Sequence, residues 1–217
     1  SERYPGHLGR DGVAARERQV SVVFAAAVET MYAAGSEIRV VPGPTAERLE
    51  GAVRPGHFAG VLTVVAKLFH LVEPDVAVFG QKDIQQAVLV RQMVRDLDFP
   101  IDVVIAATVR EPDGMALRSR NAYPTPEDGA QGLGLSTGLR AAGAAWRSGE
   151  QDAGRLVALM GEQIRRFPGL STDYVAVVDP DRLAPVATAG AGTLLTLAGR
   201  VGQARLLDNH ILGRVFG

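Results

Sequence analysis

Apolar residues between His57 and Val72 fall on most faces of the segment: Phe58, Val61, Leu62, Val64, Val65, Leu68, Phe69 and Leu71. A run this long with a single internal lysine, Lys67, predicts a largely buried helix rather than two strands. Pro74-Asp75 breaks it, and Val76-Ala77-Val78-Phe79 reads as a fully buried strand of the parallel type. Gly80 closes that strand. Asp83 is placed to cap a helix running through Val90 and Val94 to about Leu97, which Pro100 stops. Ile101 to Ala107 is the next buried strand. Earlier, Ser21-Val22-Val23-Phe24 and Ile38-Arg39-Val40-Val41 are short β-branched runs that predict two further strands, the second closed by Pro42-Gly43-Pro44.

Helix and strand alternating in this order predict a doubly wound α/β sheet. Its ligands are expected beyond the carboxyl ends of the strands, which singles out residues 80–83 and the stretch after Val109. The second half of the chain has a different pattern. An Ala-rich helical region runs from about Glu127 to Arg147, and another helix from about Asp152 to Phe167 places Leu156, Leu159, Met160 and Ile164 on one side. Tyr174–Val178, Thr193–Leu197 and Ala204–Leu207 are three short strand candidates. The expected organisation is therefore a doubly wound α/β part over residues 1–113 and a small α+β domain over 114–217.

Composition narrows the function. A formal net charge of −1 over 217 residues argues against a general nucleic-acid binder, which needs excess cations to displace phosphate counterions. With no cysteine there is neither a disulfide framework nor a thiolate ligand or nucleophile, which fits a cytoplasmic location. No run is long and apolar enough to span a bilayer, and the polar start at Ser1 predicts no leader.

Two segments carry candidate chemistry. Gly80-Gln81-Lys82-Asp83 lies between a strand and a helix, where backbone amides and the Lys82 cation would together seat a phosphate. An ordinary turn with a solvated lysine is the plainer alternative. Arg118-Ser119-Arg120-Asn121 offers two guanidinium groups and a hydroxyl to phosphate oxygens, or is a basic surface loop. Gln86, one turn beyond Lys82, can point back at whatever Lys82 holds. His57 either orients a substrate or caps its helix. His70 and His210 lack ligand spacing, so no protein-built metal site is expected.

The motifs together resemble one family. Arg54-Pro55-Gly56-His57-Phe58 with Gly60-Val61 and Thr63–Phe69, Phe79-Gly80-Gln81-Lys82-Asp83-Ile84-Gln85-Gln86, and Thr108–Leu117 followed by Ser119-Arg120-Asn121 are similar, in this order, to the signature blocks of pantothenate synthetases. Asp173-Tyr174, Val177–Pro180 and Arg205–Asn209 resemble the small domain of the same enzymes. The resemblance implies a truncated Rossmann-like nucleotidylyl-transferase fold, its partial nucleotide-binding domain over residues 1–113, and a two-step ligation. Pantoate attacks ATP to give pantoyl adenylate, which β-alanine then aminolyses, with Mg²⁺ carried by the nucleotide and a homodimeric enzyme.

By motif matching, ATP would be contacted by Gly80, Gln81, Lys82, Asp83, Val109, Leu117, Arg118, Ser119 and Arg120, with Lys82, Ser119 and Arg120 catalytic. Gln86 would bind pantoate, and Arg54 and His57 would support the site. Two departures from the pattern stand out. The family opens with a strand and a histidine-containing PTMGALHxGH-type loop that has no counterpart here, and Arg118 replaces the first serine of the SSRN block. The expectation is that this chain turns over little or no substrate. An inactive remnant serving as a nucleotide-binding or oligomer-forming module is the alternative.

Overall fold

A computed structural model describes residues 8–117 and 125–216, with the backbone alone for 126–128. It divides into two compact units, 1–38 and 39–217. In the first, helix α1 (Leu8–Glu17) buries none of its residues, and α2 (Val28–Met31) is a single turn that buries Met31. The 21–24 run takes no regular secondary structure and pairs with no strand among the described residues. Residues 38–41 likewise form no ladder there, and the Val40 amide donates instead to Thr63 Oγ1 at 2.9 Å. Both predicted strands fail for one reason: β-branched residues favour extended backbone, but a strand also needs a neighbour to take its hydrogen bonds.

Among the described residues, the second unit contains two sheets. β1 (Val76–Gly80) and β2 (Asp102–Ala106) pair in parallel, Val78 opposite Val104 and Gly80 opposite Ala106. They are joined by α5 (Ile84–Asp96), which follows a 3₁₀ turn over Gln81–Asp83. Before them come the single turn α3 (Glu50–Val53) and the four-turn α4 (His57–Val72). Of α4, only the stripe Phe58, Leu62, Val65, Ala66 and Phe69 is buried, so it is amphipathic rather than buried all round. That stripe meets Leu89, Val90, Met93 and Val94 of α5 and the inner residues Ala77, Phe79 and Val103 of the sheet.

β1 and β2 are not fully buried. Ala77, Phe79, Val103 and Ile105 face inward, while Val76, Val78 and Val104 are exposed. The sequence pattern concealed this because a one-sided strand made wholly of apolar residues reads like a two-sided one. Asp83 stands at the start of α5, as expected, but its carboxylate caps no amide. It lies 3.9 Å from Lys82 Nζ.

The three strands expected near the end are present and longer than read: β3 (Leu170–Val178), β4 (Leu194–Val201) and β5 (Ala204–Ile211) form an antiparallel sheet in that order. Helices α6 (Pro126–Arg147) and α7 (Ala153–Ile164) cover it through Leu139, Leu156, Met160, Leu195 and Leu197, all fully buried. Each such leucine stabilises the fold by about 2 kcal/mol relative to an exposed one. Asp152 caps α7 by accepting from the Arg155 amide at 2.8 Å. The parallel and antiparallel sheets share one further apolar cluster, in which Ile84 and Val88 of α5 meet Val178, Leu183, Leu194 and Ile211. The result is an α/β part with a Rossmann-like parallel sheet joined to a small α+β part. Among the described residues no helix is long and apolar enough to cross a membrane.

Candidate active site

The carboxyl end of β1 runs straight into the 3₁₀ turn that carries Lys82, so this cation stands at the mouth of α5. Gln86 lies one turn further along. The two side chains line one cleft with Arg54, His57, Asp83 and Asn209. Lys82 is largely covered, with 22 % of its side chain exposed, and the Asp83 carboxylate lies beside it. Lys82 also lines a smaller adjoining hollow with Met115, Ala116 and Leu207, just before the basic segment that begins at Arg118.

Residues 45–54 form the opposite wall, held there by Gln85. Its buried amide donates to Thr45 O at 3.0 Å and Arg48 O at 2.9 Å, while its oxygen accepts from the Glu50 amide at 3.0 Å. Gly51 permits this loop to close: a Cβ there would sit 1.7 Å from the Ala46 carbonyl oxygen. Leu49, which precedes α3, adopts φ 48°, a left-handed conformation that side chains other than glycine rarely take.

Glu50 ties this wall to the antiparallel sheet. Its carboxylate accepts from Tyr174 Oη at 2.9 Å and from both terminal nitrogens of Arg205, one of them at 2.8 Å. Arg205 Nε donates in turn to Asp173 at 2.6 Å. The hydrogen bond from Arg205 to Glu50 raises the guanidinium pKa despite burial. Burial first, and then the neighbouring Glu50 charge, raise that of the Tyr174 hydroxyl. Tyr174 therefore stays neutral and acts as a donor to Glu50. At the cleft edge, burial and then the Arg54 charge lower the His57 pKa, which favours a neutral imidazole near neutral pH.

Behind Lys82 lies a second polar network. Arg110 and Asp208 form a two-pronged ion pair at 2.6 and 3.0 Å, their side chains only 5 % and 3 % exposed. Burial raises the Asp208 pKa and Arg110 opposes that shift. Arg110 also donates to the Gly114 and Asn209 carbonyls and stacks 4.0 Å over the Phe216 ring. Gly114, at φ 95°, leaves the room that the Arg140 guanidinium fills.

A covered cation and an amide one turn apart, at the strand end of a parallel sheet, make a site for a negatively charged ligand beside a polar one. A family model described as pantoate-β-alanine ligase matches residues 1–211. The chain belongs to that family. It is 47 % identical over 210 residues to the pantothenate synthetase of Moorella thermoacetica, covering 97 % of this chain and 74 % of that one. It is 46 % identical to the enzyme of the same name from Acidobacterium capsulatum, covering 97 % and 71 %. The crystal structure of pantothenate synthetase from Thermus thermophilus superposes with a TM-score of 0.92 at 46 % identity, covering 96 % and 76 %. That of pantoate-β-alanine ligase from Francisella tularensis, complexed with β-γ ATP and β-alanine, gives 0.75 at 27 %, covering 99 % and 73 %. The family read from the motifs is thereby established, and with it the fold.

Of the residues named from the ligase motifs, the structure brings Arg54, His57, Lys82, Asp83 and Gln86 to one cleft. Gly80 is exposed at the end of β1, and Gln81 is buried with its side chain bonded to Asn209. Val109 and Leu117 are exposed and line neither hollow. Arg118, Ser119 and Arg120 lie outside the described residues. Glu50, Gln85, Tyr174 and Asn209 were not assigned roles from the sequence. Gln85, Tyr174 and Asn209 sit inside the quoted family blocks, which was the only signal available. Their partners are 35 or more residues away in the chain.

Proposed function

We propose, against the low turnover expected from the departures from the family pattern, that the chain catalyses the ATP-dependent condensation of pantoate with β-alanine, through a pantoyl-adenylate intermediate. A pantoate carboxylate oxygen attacks the α-phosphorus of ATP, which enters as its Mg²⁺ complex, and pyrophosphate leaves. The β-alanine amine then attacks the acyl carbon, loses a proton, and AMP departs. Lys82 holds the phosphates and neutralises charge that builds on them. Gln86 grips the acid beside it. Gly80, Gln81 and Asp83 shape the nucleotide seat, Val109 and Leu117 flank it, and Arg118, Ser119 and Arg120 close over the phosphates. Arg54 and His57 support the wall. The chemistry asks for alignment and charge neutralisation more than for a protein nucleophile. Nucleotide binding belongs to residues 1–113 and the closing half to 114–217, in a cytoplasmic homodimer.

The observation that carries this reading is the shared cleft of Lys82 and Gln86. Its test uses pantoate labelled with ¹⁸O in the carboxylate. AMP that gains one label, formed together with pantothenate, is the expected result. AMP without label rules out the acyl adenylate. A second reading, a nucleotide-binding or oligomer-forming module without turnover, is favoured by the exposed apolar residues Val76, Val78 and Val104 on the parallel sheet. It predicts ATP binding in the same assay with no AMP formed.

A further inference from the structure

The turn that carries Lys82 is held from outside its own half of the molecule. Asn209, in β5, is 1 % exposed and directs its whole side chain at this turn. Its amide nitrogen donates to the Gln81 carbonyl at 2.9 Å and to the Lys82 carbonyl at 3.0 Å. Its amide oxygen accepts from Gln81 Nε2 at 3.1 Å. All three bonds reach across 127 or 128 residues of chain. Asn209 is itself fixed on both sides: its backbone amide donates to Asp208 at 2.8 Å, and its carbonyl accepts from Arg110 at 3.2 Å.

A 3₁₀ turn of three residues has little stability of its own, because its hydrogen bonds are few and poorly aligned. Lys82 has a long flexible side chain, so the direction of its ammonium group depends on where the backbone at residue 82 is held. Side chain contacts alone cannot correct a displaced origin without losing rotamer freedom. We infer that Asn209 is a positioning residue for the ligation reaction: it fixes the peptide of Lys82 and so sets the ammonium against the nucleotide phosphates. This rests on the reading of Lys82 given above. It also makes the nucleotide seat dependent on β5, so that the parallel sheet presents Lys82 correctly only when the antiparallel sheet is docked.

The test is a double-mutant cycle between the two positions, with Asn209→Asp as the working variant. That change keeps the size of the side chain and the acceptor for Gln81, but removes the donor to both carbonyls. Asn209→Ala serves as a second variant, and thermal melts establish which variants are folded. Positioning predicts that Asn209→Asp lowers kcat/KM for ATP by about 100-fold, the scale of a 1 Å misplacement. The KM for pantoate, held by Gln86, should stay within about 2-fold. In a Lys82→Ala background the same Asn209 change should cost less than about 3-fold, because the group it positions is gone.

Equal losses in both backgrounds, or parallel losses for ATP and pantoate, would show that Asn209 only supports the fold and would overturn the inference alone. A Lys82→Ala variant as active as the parent would overturn the reading of Lys82 and this inference with it. If turnover is too slow to measure, calorimetric ATP affinity runs the same cycle with the same criteria. A chain that binds no ATP at all fails the proposed function first.

Discussion

Replacing Arg110 with methionine should be among the most damaging single changes in this protein, and the geometry gives the size. The guanidinium donates twice to Asp208 and once each to the carbonyls of Gly114 and Asn209, with both charged side chains almost out of reach of water. Arg110→Met removes the guanidinium and leaves a buried carboxylate that has lost its paired charge and keeps the Asn209 amide. Breaking a buried pair from one side costs about 3–5 kcal/mol, a large share of the roughly 5–15 kcal/mol that holds a domain together. With a urea m-value of about 2 kcal/mol/M, a loss of about 4 kcal/mol moves the unfolding midpoint down by about 2 M.

The loss should also depend on pH in a definite sense. Burial already raises the Asp208 pKa, and removing Arg110 raises it further. At any pH between the unfolded and folded pKa values the folded variant holds a proton that the unfolded chain releases, so its stability is fully present at low pH and declines as pH rises towards the folded value. The deficit relative to the parent should shrink as pH is lowered from 7 towards 5. Adding Asp208→Val, which removes the stranded charge, should recover most of the loss. Urea melts at pH 7 and 5 on the parent, the single variant and the double variant decide the matter. A single-variant loss under about 1 kcal/mol, or a double variant no better than the single, would refute the argument.

Lys82→Ala should lower pantothenate formation by on the order of 10²-fold or more, as removal of a charge facing the transition state does. Loss of only a few-fold in kcat/KM would take Lys82 out of the mechanism. His210, 4 % exposed, has its pKa lowered to about 4 by burial and by Arg110 and Arg147, from an ordinary value of 6.5. The unfolded chain therefore binds the extra proton first, and stability present above pH 6.5 is lost as pH falls towards 4. The full shift is worth about 3 kcal/mol and screening trims it to about 2. His210→Phe should flatten the acid limb of the stability profile measured by urea melts. Gly51→Ala should push the 45–54 wall off the Ala46 carbonyl and loosen the cleft. A raised KM for pantoate and a melting point several degrees lower are the expected readings, and an unchanged protein would show that the loop can shift freely.

Much of this fold lay open in local sequence. Pro74 and Pro100 punctuate the βαβ unit, Gly80 ends β1, and α7 begins beside Asp152, where the sequence placed its start. Lys82 and Gln86 were legible as a pair because both lie in one short block after a predicted strand, but Lys82 sits in the 3₁₀ turn and Gln86 on α5, so their meeting in one cleft is a finding of the structure. Where local propensity was the only guide, it misled. The runs at 21–24 and 38–41 have the residues of strands and no partner strand among the described residues.

Sequence alone thus determined the family, the order of elements from α4 onward, and the cation and amide that line the cleft, since these are written in local patterns along the chain. Tertiary structure alone decided that Glu50 would bind Tyr174 and Arg205, that Arg110 would be buried against Asp208, and that Asn209 would grip the turn bearing Lys82. Hydrogen bonds are directional and short. Whether two groups on the order of a hundred residues apart come within about 3 Å of each other depends on how the two sheets dock through Ile84, Val88, Val178 and Leu194, and hydrophobic burial, being non-directional, writes no such register into the local pattern of the chain.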